Sequence, residues 1–265
     1  MKNSIVNVTL MILVSIFFLN YTKQACAMQR YNVPGILAQI SAGFDNDVWG
    51  VNRKGLVYRL SWNGREFRWV KMYDKRLKQI SVANAHYICG IDLNGIVHKL
   101  TENNQWESMG NEKIQFNWVS VGNDNSVWAV PQGPNSHIFE WQDSTWKQRQ
   151  ICINCGTQDE LIIENINVIS VANKDCIWAV DNSGKIFYRN KKKLWHAKYG
   201  PRMMHISASS DGSVWGVNIL GNVYKKYLEK NLWEMVHGNL RIISVGNAHN
   251  VWGVSYNGLI YRWND

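Results

Sequence analysis

Six copies of one short pattern constrain this 265-residue chain more than any other feature. A fixed repeat period signals an architecture in which each copy buries its apolar face only against its neighbours. The first copy runs Ile40-Ser41-Ala42-Gly43, Val48-Trp49-Gly50-Val51-Asn52, Gly55 and Val57-Tyr58-Arg59. Its counterparts begin at Ile80, Val119, Ile169, Ile206 and Ile243, so the spacings are 40, 39, 50, 37 and 37 residues. Only the third copy is long. Its extra residues include Cys152 and Cys155 and read as an inserted loop, not a second domain.

Each copy holds short β-branched or alternating runs parted by Asn, Asp and Gly, which is strand and turn chemistry. A fourth run in five copies carries Trp69, Trp106, Trp146, Trp195 or Trp233. Four short strands per ~40 residues make one blade of a β-propeller. The expected fold is all-β: a six-bladed β-propeller with four-stranded blades and no helix of consequence. The sixth copy stops at Trp263-Asn264-Asp265, before its fourth strand, while the stretch from Arg30 to Leu37 matches that from Trp233 to Leu240. The N-terminal strand is therefore expected to close the last blade and remove an open sheet edge.

Residues 1–27 read as a signal peptide, with Lys2, an apolar run from Ile5 to Leu19 and the small-residue site Ala25-Cys26-Ala27. That run is shorter than the ~20 residues a spanning helix needs, and no later stretch is long enough. The expected product, residues 28–265, is secreted, extracellular and without a transmembrane segment. It carries 27 Lys and Arg against 20 Asp and Glu. Cys89, Cys152, Cys155 and Cys176 remain as disulfide candidates, and three pairings are open. Without a second C-x-x-C or a His pair at ligand spacing, Cys152 and Cys155 read as structural, not as a redox or zinc motif.

The pattern Ile-Ser-Val-Gly, Val-Trp-Gly-Val-Asn, Gly, Val-Tyr-Arg resembles the tectonin repeat, over essentially all of residues 28–265. With a leader, a basic charge and six copies, the chain looks most similar to secreted fish-egg lectins and proteins of the horseshoe-crab tachylectin-1 type. That resemblance implies binding of N-acetylglucosamine-type sugars, bacterial surface glycans or lipopolysaccharide, and a role in innate immunity. Two copies depart from the pattern: Cys89 replaces the second-strand Trp, and Pro131 to Ser136 lengthens a turn.

Ten of the 14 Trp fall in two repeated columns and read as core. Trp62, Trp118, Trp141 and Trp263 lie outside the columns and are candidates for exposed rings. The candidate ligand residues are repeated Asx, aromatic and basic positions, because a small polar ligand needs a few placed polar groups beside an apolar wall. They are Asn52, Tyr58 and Arg59; Asp181 and Arg189; Asn218, Tyr224 and Lys225; and Tyr261 with Arg262. Asx at such positions also caps turns, and the members of a set are free to point to opposite faces of a blade. Turns such as Asp45-Asn46-Asp47 carry oxygens suited to Ca²⁺, but no calcium motif is present, and no cofactor is expected.

No P-loop, H-E-x-x-H or catalytic triad order is visible. Ser209 to Trp215 echoes a sialidase Asp-box with its Gly misplaced. Repeated sites suit multivalent binding better than a single catalytic centre, so a non-enzymatic lectin with glycan partners is expected. The alternative is an extracellular protein-interaction propeller that binds no sugar. Nucleic acid is not an expected partner. The run Lys191-Lys192-Lys193 is either a solvated loop or an attractor of acidic glycans.

Overall fold

The computed structural model describes residues 29–72, 74–110, 113–134, 137–227 and 231–264. The leader assigned to residues 1–27 lies outside the described residues. All regular elements among them are strands. Blade one consists of Gln39–Ala42, Val48–Val51, Val57–Trp62 and Phe67–Met72, paired in that order from the centre outward. Blades two to five repeat this order over residues 77–108, 116–149, 166–198 and 203–236. Blade six takes Ile242–Asn247, Asn250–Val254 and Leu259–Asn264 from the C-terminal end. Its outer strand is Gln29–Ile36, so the expected closure is the observed one. The expected inserted loop is instead a short hairpin, Ile151–Ile153 paired with Leu161–Ile163. Ile151 and Ile163 are buried in the core between blades three and four, which explains the hairpin's order.

The second-strand column fills the blade junctions. Trp49, Trp128, Trp178, Trp215 and Trp252 are at most 2% exposed. Large rings suit this place because adjacent twisted sheets diverge outward and leave volume to fill. The outer-strand Trp ring of one blade also packs against the preceding blade. A Cβ at Gly200 would meet Trp233 Nε1 at 2.6 Å, so only Gly permits that approach. Of the four rings outside the columns, Trp62 is 57% exposed, as expected. Trp263 is 1% exposed and part of the core, a correction that follows from its place between blades five and six beside Trp215. Trp118 and Trp141 are partly buried.

The serine of every Ile-Ser or Val-Ser pair has one job. Its Oγ accepts a hydrogen bond from an inner-strand N–H of the next blade: Val82 on Ser41, Val121 on Ser81, Val171 on Ser120, Ala208 on Ser170 and Val245 on Ser207. Ala42 on Ser244 completes the circuit from blade six to blade one. All six are 2.9–3.0 Å long. The serines are nearly all buried, so each N–H would otherwise be stranded away from water.

In four blades the residue before the pair lines the central channel: Gln39, Gln79, Trp118 and His205. Gln39 and Gln79 use their amides there to pair both backbone groups of Ile80 and Val119 in the next blade. Trp118 donates to the Ile169 carbonyl. His205 holds the same position in blade five but has no partner on either ring nitrogen. It packs edge-on to Trp118, 5.0 Å between centroids. Burial, with the nearby Arg241 cation, pushes its pKa down to about 3.

Two of the four candidate cysteines pair, Cys152 with Cys155. Cys89 and Cys176 are free. Cys89 lies in the core of blade two, where burial pushes its thiol up to about 12.

Candidate functional site

The expected sets of Asx, aromatic and base do not converge. Asn52 Oδ1 accepts from the N–H groups of Lys54 and Leu56, and Asn218 Oδ1 from those of Leu220 and Asn222. Asp181 Oδ1 accepts from Ser183 and Lys185. These are turn-capping bonds, made where the second strand turns into the third. The amides of Asn52 and Asn218 reach Tyr58 and Tyr224 only at 3.4 and 3.5 Å. Strand alternation then separates tyrosine from base. Tyr58 packs toward blade six, whereas Arg59 lies opposite Trp49 and turns the other way. Tyr261 is covered by the Arg30 guanidinium, 4.4 Å from its ring centroid.

The first-to-second strand turns on the other rim are equally engaged. Asp45 Oδ2 accepts from Ala85 N–H at 2.7 Å, Asp124 Oδ2 from Lys174 N–H at 2.9 Å and Asp211 Oδ2 from Ala248 N–H at 2.6 Å. These acids come from blades one, three and five and clasp the turns of blades two, four and six. Among the described residues there is no group of three or more His, Cys, Asp or Glu positioned to hold a metal ion.

What the fold does bring together lies at the blade junctions, toward the rim that carries these turns. At each junction the second-strand residue of one blade meets a third-strand residue of the same blade, across the pair of strands. The pairs are Trp49 with Arg59, Trp178 with Tyr188, Trp215 with Lys225 and Trp252 with Arg262. The next blade contributes the following third-strand position: Leu60, Leu100, Trp141, Arg189, Lys226 or Trp263. Trp263 fills the junction of blades five and six. Arg189 covers the Trp128 ring at 5.3 Å between blades three and four, and Glu140 there pairs with Arg149 at 2.9 Å.

Among the described residues, two junctions hold cavities. Between blades six and one a cavity of ≈ 300 Å³ is lined by Tyr31, Pro34, Glu66, Phe67 and Arg262. The Arg262 guanidinium lies 5.4 Å from the Phe67 centroid and 5.5 Å from that of Trp252, and its buried Nε has no partner. Burial lowers its pKa. Between blades four and five a cavity of ≈ 220 Å³ is lined by Trp178, Tyr188, Lys198, Lys226, Asn231 and Cys176. Trp178 and Tyr188 form its wall, 4.8 Å between centroids. Both volumes are at or below the ~300 Å³ where pockets for drug-sized ligands begin, which is the scale of a single small polar ring.

Of the expected ligand residues, Arg262 lines one of these two cavities. Phe67, Trp178, Tyr188, Lys198 and Lys226 were not legible as site residues. One signal did exist: the third-strand position that is apolar in four blades is basic at Arg189 and Lys226.

The class this geometry defines is a closed six-bladed propeller with aromatic, cation-bearing junctions. The chain belongs to the Tectonin domain family, whose model matches residues 14–112 and 76–265. Among curated proteins none matches it. Solved structures similar to it are varied propellers. YCF48 bound to D1 peptide is 13% identical, with a TM-score of 0.62 over 90% of this chain and 97% of that one. The WD40 propeller domain of Doa1 is 10% identical, with a TM-score of 0.60 over 89% and 96%. The gluconolactonase XC5397 of Xanthomonas campestris is 8% identical, with a TM-score of 0.65 over 92% and 93%. At these identities the likeness shows the fold alone.

Proposed function

We propose that this protein is a secreted, multivalent lectin that binds sugars of the N-acetylglucosamine type or bacterial surface glycans, including lipopolysaccharide, in innate immunity. It binds without turnover. One observation carries this reading: the two open junctions each combine an aromatic wall with a cation. Sugar rings present apolar C–H faces to aromatic rings and keep their hydroxyls for polar partners, and cavities of one-ring size match that chemistry. Each such site is shallow and weak alone. Two or more on one rim gain affinity together on a repetitive surface. Secretion rests on the leader sequence, and the immune role on the resemblance to tachylectin-type proteins.

A glycan array probed with the folded protein, with and without calcium, tests the reading. Specific binding that free sugar competes away, equal in both conditions, is the expected result. A blank array from folded protein would overturn it.

A second reading has its own support. On the opposite rim Ile219 and Leu220 are 75% and 73% exposed, beside Tyr256, which is 49% exposed and donates to the Ile219 carbonyl. Such a patch suits a protein partner. Capture of one partner, abolished by Leu220→Asp and untouched by free sugar, would establish that function instead.

A further inference from the structure

We infer that the junction of blades four and five is an anion-selecting subsite, built for a sugar unit that bears a carboxylate or a phosphate ester. The inference rests on the sugar-binding reading above and deepens it at one junction. Two ammonium groups line the cavity, Lys198 from the outer strand of blade four and Lys226 from the third strand of blade five. Lys226 is only 5% exposed. Its Nζ donates to Asn231 Oδ1 at 3.0 Å and lies 5.3 Å from the Trp233 centroid, while Lys198 Nζ lies 5.3 Å from the Tyr188 centroid. Among the described residues neither lysine has an ion pair.

A buried cation next to a like charge is costly unless an anion joins it. Burial lowers the Lys226 pKa, and Lys198 lowers it further, so the two charges feel one another. A carboxylate or phosphate in the cavity relieves both, and its charge-assisted bonds are the strong kind. The ring that carries it has Trp178 and Tyr188 as a wall.

A second observation points the same way. Blade four and its exit, residues 166–202, hold eight Lys and Arg against two Asp. Blade two, residues 77–108, holds two Lys against three acids, and blade three, residues 116–149, two bases against three acids. Blade one, residues 39–72, also carries an excess, six bases against three acids, but blade four carries the largest, and its field raises the local concentration of acidic ligands around that blade. The other open junction differs. Arg262 there shares its cavity with Glu66, which bonds Arg68 at 2.6 Å.

The test is calorimetric titration of the full mature chain with methyl glucuronide, methyl glucoside and glucose 6-phosphate, at low and high salt. The wild type is expected to bind both acidic sugars about tenfold more tightly than the neutral one, an advantage that added salt shrinks. Glucuronide and glucose 6-phosphate separate the carboxylate from the phosphate source, and a preference for either supports the subsite. Lys226→Met, which keeps the stem, is expected to abolish the preference for acidic over neutral sugar. Lys198→Met, at a more accessible position, repeats the test if Lys226→Met fails to fold. Equal binding of acidic and neutral sugars overturns the subsite but leaves the lectin reading standing. Acidic preference that survives both substitutions overturns the subsite as well. Failure of every sugar overturns the subsite, while the lectin reading stands or falls on the glycan array.

Discussion

The inner ring and the outer junctions of this propeller are built from the same six repeats, yet they vary in opposite ways. On the inner ring one serine does the same thing six times, and the circuit closes through Ser244 and Ala42. At the outer junctions, the position contributed by the following blade is Leu, Leu, Trp, Arg, Lys or Trp. Closure of a ring demands equal bonds at every interface, because one weak junction opens the whole circuit. Recognition has no such demand, and there the repeats diverge. Identity among repeats therefore marks the residues that hold the ring, and departure from identity marks the places free to bind.

The largest way to break this comparison is to empty a junction. Trp215→Ala removes a ring with no exposed surface and is expected to destabilise the fold by ~3–5 kcal/mol, read from the denaturant midpoint. Trp62→Ala, at 57% exposure, is expected to cost no more than about 0.5 kcal/mol. Similar losses at both positions would contradict the assignment of columns to the core.

Cutting the inner circuit comes next. Ser120→Ala strands the buried Val171 N–H and is expected to cost ~1–3 kcal/mol by the same measurement. Ser170→Ala is expected to behave alike, since the ring is equivalent at every blade. A neutral result at both serines would show that the bonds do not contribute to closure.

His205 sharpens the comparison, because it is an inner-ring residue that breaks the pattern. Its pKa is pushed from 6.5 to about 3 in the fold. Between those values the unfolded chain takes up a proton that the folded chain refuses, so stability falls as pH drops below 6.5. The slope approaches ~1.4 kcal/mol per pH unit for this one group. His205→Gln introduces the residue that Gln39 and Gln79 use at the same position. It is expected to flatten the loss between pH 6.5 and pH 4 relative to wild type. An unchanged pH profile would remove His205 as its cause.

The smallest expected effect on stability is at the rim. Lys198→Met is expected to shift the denaturant midpoint by no more than about 0.5 kcal/mol while changing ligand preference. A change in stability without a change in binding would place Lys198 in the scaffold.

Much of the fold was legible in the sequence. Six in-register copies and their turn residues gave the blades, and the match of Arg30 to Leu37 with Trp233 to Leu240 gave the closing strand. Those signals are local, so one chain suffices to see them. The serine ring was visible only as a repeated letter, since its partner lies in the next blade, about 40 residues away. The expected ligand sets are scattered for a related reason. Asn52, Tyr58 and Arg59 are neighbours in sequence, but the two-residue period of a strand sends Tyr58 and Arg59 to opposite faces. The true neighbours of a base such as Arg262 come from the next blade, as Phe67 does. Adjacent repeats, not adjacent residues, compose the candidate sites.

The most direct measurement is a crystal structure of the mature protein soaked with N-acetylglucosamine. Sugar density is predicted at the junctions of blades six and one and of blades four and five, stacked on Phe67 or on Trp178 and Tyr188. Density confined to the opposite rim, beside Asn52 or Asn218, or no density in crystals with open junctions, would contradict the division between a closing ring and a recognising rim.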